Sequence, residues 1–515
     1  MSFEAYTELR NITLDHTFNG IQQAASPYYH RFGLNCKLSG SVYAVSEIDG
    51  AIPIMHGPAG CAFHQRLTPM KLYSPVNELP STNLDENDVI YGGEGKLRKA
   101  IIETSHRYKP SMIAVLPTCV SGLIGDDVSG VCDDIKSEIS CPLISVSSEG
   151  FAHRSRESLD TIISDMAKAW KTAEPPDYDL KGCGQEEVVL SLVSQLMEEQ
   201  DISEDLVNIE YSGRFRYGSR RDLEETRRLF GLMGVRINTT ILSCNVEQIK
   251  HAPAAALNIV SRHRKAAKLM SERFGTGYFH KWAIYYGLEG IERFYSEVGS
   301  RLDRDGEAEC MIDQEKKQAF VDIDNYLKAF RDQSFALSTQ AFFFTPDIAR
   351  IYIEDLQLPL RYICVNTQML RSMNISEETI QLMIESMTEL FGKRDYNLQI
   401  IVDPTLHDVW EVAKSVDFHL SDRITPPINQ NENHHVILDV SRINHLLFST
   451  SFKGIAEFAG YLAGYLNKGM ASSHGSIISQ FEYDALNYPF VEDPRCSASR
   501  AMWSNMWALK CPKGD

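Results

Sequence analysis

Short apolar runs alternate with amphipathic stretches through the first third of the chain. Residues 51–55 (AIPIM), 112–118 (MIAVLPT) and 142–148 (PLISVSS) are short runs led by apolar residues, as buried strands of a parallel sheet are. Between them, residues 96–108 place apolar side chains on one helical face, and residues 122–139 predict a second helix. Strands that alternate with helices in this way predict a parallel sheet with right-handed crossovers.

The same alternation continues in a second unit. Its predicted strands are residues 206–213 and 235–242, and its predicted helices are residues 221–234 and 257–275. A stretch rich in Pro, Gly and charge at residues 174–187 separates it from the first unit, as a linker would.

A third unit has predicted strands at residues 335–344, 360–367 and 398–403. We therefore predict an α/β fold of three Rossmann-like, doubly wound parallel-sheet domains with an irregular C-terminal tail, because 515 residues exceed one ordinary core. The predicted boundaries are 1–175, 188–330 and 331–470 for the domains and 471–515 for the tail.

Composition narrows the class of function. Lys and Arg number 51 against 69 Asp and Glu, and this net charge of −18 argues against nucleic-acid partners and against binding to anionic membranes. The first residues lack the basic and apolar regions of a signal peptide, so we expect a cytoplasmic protein. In that compartment the eleven cysteines are better interpreted as thiols or metal ligands than as disulfides.

Two cysteines follow predicted strands at the end where parallel sheets bind ligands. Cys61 stands where a helix begins after the strand that ends at His56, and Cys119 follows the strand 112–118 in the same way. Cys36 lies in the segment that leads to the first strand. A helix N-terminus favours thiolate over thiol, and the thiolate is the form that binds iron.

Three thiolates do not complete a four-cysteine cluster site, so a second chain would have to supply further ligands at a subunit interface. The closely spaced pairs of zinc ribbons are absent from this set of three. The alternative is that all three are ordinary buried cysteines. The other cysteines match no motif and are expected to be structural: Cys132, Cys141, Cys183, Cys244, Cys310, Cys364, Cys496 and Cys511.

Three segments resemble the N-terminal domain of nitrogenase component 1 chains: residues 56–63 (HGPAGCAF), 89–101 (VIYGGEGKLRKAI) and 112–131 (MIAVLPTCVSGLIGDDVSGV). A fainter similarity extends over residues 30–470. The resemblance implies that Cys36, Cys61 and Cys119 ligate half of an 8Fe-7S P-type cluster shared with a partner subunit. A 4Fe-4S cluster is the alternative.

The resemblance also suggests a subunit type. In catalytic α chains a cysteine and a later histidine hold the active-site cofactor, and here Arg262 and Ser441 align with them. We therefore expect the β-type subunit of an α2β2 oxidoreductase. Such a subunit relays electrons from a homodimeric, ATP-binding iron protein to a cofactor in the α-type subunit. The sequence departs from the β type at the proline of HGPAGC, because a proline at this position resembles the pattern of α-type and scaffold chains.

The substrate expected for such a reductase is dinitrogen or a methylthio-alkane. The second substrate is included because residues 68–88 depart from the usual β sequence, as they would in a divergent relative such as a methylthio-alkane reductase. Two other functions stay open. One is a scaffold subunit for cofactor assembly, although all three cysteines are kept here. The other is a tetrapyrrole reductase subunit with a 4Fe-4S cluster.

Other residues near these motifs are weaker candidates. Ser148 lies where β chains offer a serine near the cluster, so it is a candidate cofactor-binding residue, although a strand-end serine is commonly a cap. His56 is expected to be a hydrogen-bonded turn residue, and Asp126 and Asp127 are expected at the surface or an interface. Residues 92–97 (GGEGKL) lack the order of a P-loop, which predicts no ATP site.

Overall fold

The computed structural model describes residues 37–72, 78–150, 156–172, 183–211, 219–261, 263–281, 285–340, 346–372, 375–392, 398–422, 434–438 and 450–467. These residues form three parallel sheets that follow one another along the chain. The predicted α/β fold class is confirmed. The predicted domain boundaries stay predictions, and the tail at 471–515 lies outside the described residues.

The first sheet has the order β1-β2-β3, and β1 and β2 end together because His56 pairs with Pro117. Its strands are β1 (Ala51–His56), β2 (Met112–Pro117) and β3 (Leu143–Ser145). The helices in this part of the chain are α1 (Lys37–Ser46), α2 (Ala59–Leu72), α3 (Glu86–Tyr91), α4 (Glu94–Tyr108), α5 (Cys119–Ile124), α6 (Val128–Ile135) and α7 (Arg156–Thr172).

The single helix predicted for residues 122–139 is wrong, because two short helices occupy this region. Gly125 adopts a left-handed conformation (φ 80°) and ends α5. The carboxylate of Asp127 then accepts a hydrogen bond from the Gly130 N–H at 2.8 Å and caps α6. The pattern of apolar residues along the sequence therefore runs across a break between two helices, which Gly125 and the capping side chain of Asp127 create.

The second sheet has the order β5-β4-β6-β7. Its strands are β4 (Ser203–Tyr211), β5 (Arg236–Leu242), β6 (Ala255–Val260) and β7 (Gly277–His280). Its helices are α8 (Gly184–Gln195), α9 (Ser219–Leu232), α10 (Val246–Lys250), α11 (Arg264–Phe274), α12 (Gly287–Arg301) and α13 (Asp305–Leu327).

The helix predicted for residues 257–275 is also wrong in its first part. Residues up to Val260 form β6, which lies between β4 and β7, and the helix begins only at Arg264. Leu257 and Ile259 are buried in this sheet. Pairing with two neighbouring strands therefore decides the conformation of this apolar run.

The third sheet has the order β10-β9-β8-β11-β12. Its strands are β8 (Phe335–Gln340), β9 (Leu360–Asn366), β10 (Gln399–Val402), β11 (Phe418–Asp422) and β12 (His434–Leu438). Its helices are α14 (Pro346–Arg350), α15 (Gln368–Ser372), α16 (Glu377–Gly392), α17 (Leu406–Lys414) and α18 (Phe452–Asn467). A π-helical turn, Ile351–Asp355, continues α14.

Apolar cores join the three units. Leu116 of β2, Val189 of α8 and Met270 of α11 belong to one buried cluster between the first and second sheets. Phe230 of α9 and Phe335 of β8 belong to another, between the second and third sheets. The carboxyl edge of the first sheet is therefore held on a shared core.

Candidate functional site

Cys61 and Cys119 lie at the same edge of the first sheet. β1 and β2 are parallel neighbours whose last residues, His56 and Pro117, are paired. Cys119 is the first residue of α5, Cys61 lies in the first turn of α2, and both side chains are partly exposed. The fold thus places both thiols beyond adjacent strand ends, as the sequence predicted.

The two turns that carry these cysteines touch each other. A Cβ atom on Gly57 would lie 2.2 Å from Oγ1 of Thr118, so only glycine fits at this position. The carbonyl of His56 accepts hydrogen bonds from the Thr118 N–H at 3.0 Å and from the Ser121 hydroxyl at 2.7 Å. The turn after β1 is therefore bonded directly to the turn after β2.

Cys132 and Cys364 lie in buried environments that oppose ionisation of their thiols. Burial raises the pKa of Cys132 to about 12 and that of Cys364 to about 11. This disfavours the thiolate, which is the form that binds metals. Their structural role stays a prediction.

Cys36 lies outside the described residues, and its role stays a prediction. The next residue, Lys37, begins α1, and its ammonium lies 3.4 Å from Oγ of Ser147 and 3.4 Å from a carboxylate oxygen of Glu187. Ser147 follows β3. The start of α1 therefore lies at the edge where the three strands of the first sheet end.

Ser148 is fully buried, and its hydroxyl donates a hydrogen bond to the Pro117 carbonyl at 2.8 Å. This contact caps the end of β2, the role that a strand-end serine commonly has. A role as cofactor ligand stays a prediction.

His56 is hydrogen-bonded through both ring nitrogens, as the sequence predicted for a turn histidine. Nδ1 lies 3.1 Å from Oγ1 of Thr82, and Nε2 lies 2.8 Å from a carboxylate oxygen of Asp126. Burial lowers the pKa of His56, although the hydrogen bond and charge of Asp126 act in the opposite direction. A neutral imidazole follows.

The position at the surface or at an interface that was expected for Asp126 is wrong. Its side chain is only 3% exposed, and besides His56 it accepts the Gly93 N–H at 3.0 Å. These two donors compensate the carboxylate for lost water. Asp127, by contrast, is exposed, as expected.

The divergent stretch within residues 68–88 is partly described, and it lines the free edge of β1. Met55 N–H donates to the Pro80 carbonyl at 2.9 Å, and Thr82 N–H donates to the Met55 carbonyl at 3.0 Å. Leu84 N–H donates to the Gly57 carbonyl at 3.1 Å. Sequence reasoning missed Thr82, because no periodicity or motif links it to His56.

In the Gly-rich stretch 92–97, the ammonium of Lys96 binds carboxylates of Asp85 at 2.9 Å and Asp88 at 2.5 Å. Asp85 and Asp88 form the capping box of α3. The lysine therefore links the starts of α3 and α4.

Within the described ranges, no three side chains of His, Cys, Asp or Glu converge as a complete metal site. Cys61 and Cys119 nevertheless lie just beyond neighbouring strand ends with both side chains partly exposed, and thiolates are the ligands that iron-sulfur clusters use. Such a pair can contribute to a cluster only together with further ligands.

The edge of the first sheet that carries Cys61 and Cys119 lies within a region that is similar to known proteins. A family model described as nitrogenase component 1 type oxidoreductase matches residues 36–414, from Cys36 through both cysteine turns to the end of α17. The chain belongs to the nitrogenase component 1 family. The resemblance predicted from the three motifs is therefore confirmed at the level of the family.

Two curated relatives show the range of this component 1 family. The nitrogenase iron-molybdenum cofactor biosynthesis protein NifE of Nostoc sp. is 28% identical over 274 residues, covering 52% of this chain and 51% of the relative. The nitrogenase molybdenum-iron protein alpha chain of Methanosarcina barkeri is 26% identical over 316 residues, covering 58% and 54%. The chain thus spans about half the length of these relatives.

The solved structure "Nitrogenase Cp1 at pH 5" has the same fold as this component 1 chain. It is 18% identical, with a TM-score of 0.51, over 85% of this chain and 90% of the other. Among the helices of the described residues, none is long and apolar enough to cross a membrane.

Proposed function

We propose that this chain holds half of an interfacial P-type 8Fe-7S cluster in a component 1-type reductase. The observation that carries the proposal is the placement of Cys61 and Cys119 just beyond two paired strand ends. The family match begins at Cys36, the third cysteine proposed as a ligand. Three cysteines supply too few ligands for such a cluster, so we propose that a partner subunit supplies the others.

The proposal includes an exposed apolar area beside Cys119, which we call the α3–α5 patch. It consists of Ile90, Tyr91 and Leu123, which are 70%, 84% and 78% exposed, and α3 contacts α5. Large apolar side chains exposed side by side typically mark a protein-binding surface.

We assign the α3–α5 patch to the homodimeric, ATP-binding iron protein as its docking surface. Exposed carboxylates at Glu86, Glu94 and Asp127 lie within four residues of it along the chain, which favours a partner with basic residues around an apolar centre. Leu123 lies in the same short helix as Cys119. A donor docked here would therefore lie close to the proposed cluster.

When bound, a cluster of this kind supplies one-electron storage. The role of this chain's residues is to hold it: the thiolates bind iron, and the turns after β1 and β2 fix their separation. We propose that electrons then pass to a cofactor in an α-type partner of an α2β2 assembly for reduction of dinitrogen or a methylthio-alkane. The β-type assignment rests on Arg262 and Ser441, which both lie outside the described residues.

A second candidate function is a scaffold for cofactor assembly. It is favoured by the 28% identity to NifE of Nostoc sp. and by Pro58 in the HGPAGC motif. The complete set of three cysteines, Cys36, Cys61 and Cys119, argues against the scaffold. The two candidates differ in the final step, which is substrate reduction for the reductase and transfer of a cofactor to another protein for the scaffold.

Anaerobic purification with any co-purifying subunit, followed by iron and sulfide quantitation and EPR, tests the cluster. We expect about eight irons per αβ pair, and loss of most of them in Cys61→Ala and Cys119→Ala, because each removes a thiolate ligand. Cys310→Ala, which removes an exposed cysteine on α13, should keep the wild-type content.

The other outcomes are equally informative. About four irons per pair would favour the 4Fe-4S alternatives, a tetrapyrrole reductase or a scaffold. A wild-type protein without iron would contradict the proposal and return the cysteines to a structural role. Electron uptake from the iron protein with turnover supports the reductase, whereas cofactor release to an acceptor protein supports the scaffold.

A further inference from the structure

We propose that His56 and Asp126 form a positioning pair that fixes the Cys61 and Cys119 turns relative to each other and to the α3–α5 patch. The pair is defined by its hydrogen bonds and its burial, while its effect on a cluster rests on the function proposed above. Both side chains are buried, at 0% and 3% exposure, in the space between the two turns and the start of α4.

His56 contacts both of the turns that carry the cysteines. The His56 carbonyl accepts hydrogen bonds from Thr118, the residue before Cys119, and from the hydroxyl of Ser121 in α5. His56 also ends β1, from which the chain turns into α2 and Cys61. A movement of His56 would therefore displace both cysteines.

Both ring nitrogens of His56 take part in one chain of hydrogen bonds. Because the Asp126 carboxylate only accepts, a neutral imidazole carries its proton on Nε2 and donates it to Asp126 at 2.8 Å. Nδ1 then accepts from the Thr82 hydroxyl at 3.1 Å, and the Thr82 oxygen accepts the Gly57 N–H at 2.9 Å. The chain of bonds therefore fixes the tautomer and the orientation of the ring.

Asp126 connects these hydrogen bonds to the surface of the protein. The Asp126 carboxylate accepts the Gly93 N–H at 3.0 and 3.2 Å. A Cβ atom on Gly93 would lie 2.6 Å from Leu84 and 2.8 Å from the Asp126 carboxylate, so the backbone must approach closely. Gly93 lies two residues after Tyr91, the most exposed member of the patch. A partner that moves the end of α3 would therefore pull on Asp126 and His56.

The decisive comparison is Asp126→Ala against Asp127→Ala, neighbours of the same type. Asp127 is exposed and caps α6, with no bond to His56. In the iron-free protein we expect Asp126→Ala to raise the rates at which iodoacetamide alkylates Cys61 and Cys119 severalfold, because the turns loosen. Peptide mass spectrometry gives the rate for each cysteine, and Asp127→Ala should match the wild type.

A conservative variant separates geometry from charge. Asp126→Asn keeps an oxygen that accepts from Gly93 and His56, so it should restore slow alkylation. In the iron-loaded protein, Asp126→Ala should change the EPR spectrum and shift the midpoint potential at unchanged iron content. Asp127→Ala should leave both unchanged.

Wild-type alkylation rates and an unchanged EPR spectrum in a folded Asp126→Ala protein would overturn the proposal, as would equal effects from Asp127→Ala. If Asp126→Ala does not fold, Thr82→Val breaks the other arm of the chain, and wild-type rates there would be equally decisive against it. If the wild type binds no iron, the proposed function fails, while the alkylation rates still decide the positioning role.

Discussion

Asp355 shows at the scale of one residue how packing controls a charge. It ends the π-helical turn, and its carboxylate accepts the Leu288 N–H at 2.9 Å at the start of α12. Burial raises its pKa to about 7, and Glu354 and Glu289 act in the same direction. The Leu288 hydrogen bond and the charge of Arg350 act in the opposite direction.

The raised pKa of Asp355 predicts that pH affects stability. The unfolded chain ionises near its usual pKa of 3.8 and the folded chain near 7. The protonated Asp355 carboxyl therefore makes its full contribution to the free energy of unfolding below about pH 4. This contribution is lost as the pH rises to about 7. The loss is on the order of 4 kcal/mol at most. Asp355→Asn should remove this decline. Urea unfolding at several values between about pH 5 and 8 measures it.

The matched control is Glu354→Gln, which neutralises the adjacent carboxylate near Arg350. It should retain most of the wild-type dependence on pH, because burial, and not the charge of Glu354, is the largest cause of the raised pKa of Asp355. An Asp355→Asn protein whose free energy of unfolding falls with pH as steeply as that of the wild type would contradict the assignment.

At the scale of elements, close approach between two turns sets the site. Gly57 follows β1, and the side chain of Thr118 after β2 fills the space that a side chain at Gly57 would need. Gly60, three residues later in the first turn of α2, has no neighbouring atom within 4 Å of such a Cβ. The same turn therefore contains one glycine required by packing and one that is not.

Gly57→Ala should destabilise the protein by about 1–3 kcal/mol, because the new methyl group overlaps Thr118 and forces the turns apart. We also expect faster alkylation of Cys119. Gly60→Ala should be neutral or stabilising by about 0.5–1 kcal/mol, since alanine favours the helix. Thermal unfolding followed by circular dichroism measures both, and equal stabilities would show that the contact with Thr118 yields easily.

At the scale of the whole molecule, the shared cores hold the three sheets as packed neighbours. Helix α7, which the predicted boundary assigns to the first domain, packs against α16 of the third unit, where the Ser386 hydroxyl donates to the Ala167 carbonyl at 3.2 Å. The exposed α3–α5 patch lies outside these cores. A substitution in the patch should therefore affect partner binding more than folding.

Leu123→Asp should weaken binding of the iron protein by roughly tenfold or more, because a charge replaces an apolar contact. Iron content and thermal stability should not change. Surface binding measurements with the cognate iron protein test this. Leu232→Asp is the control, since Leu232 on α9 is also exposed, at 48%. Equal affinities of the two variants would remove the patch from the proposed docking surface.

The sequence alone determined the three parallel-sheet units and the positions of Cys61 and Cys119 at strand ends. Short apolar runs followed by glycine-rich turns are local signals, and the carboxyl ends of parallel strands lie at one edge whatever the rest of the chain does. The family resemblance rested on the same local motifs.

Only the tertiary structure decided where strand pairing overrides a helical pattern, as in Leu257 to Val260, and which distant side chains meet. Thr82, His56 and Asp126 come from three separate segments, and no periodicity relates them. Their contact depends on the order of the strands and on the close approach at Gly57 and Gly93. Hydrogen bonds from His56 and Gly93 compensate for the burial of the Asp126 carboxylate, which the sequence pattern had placed at the surface or an interface.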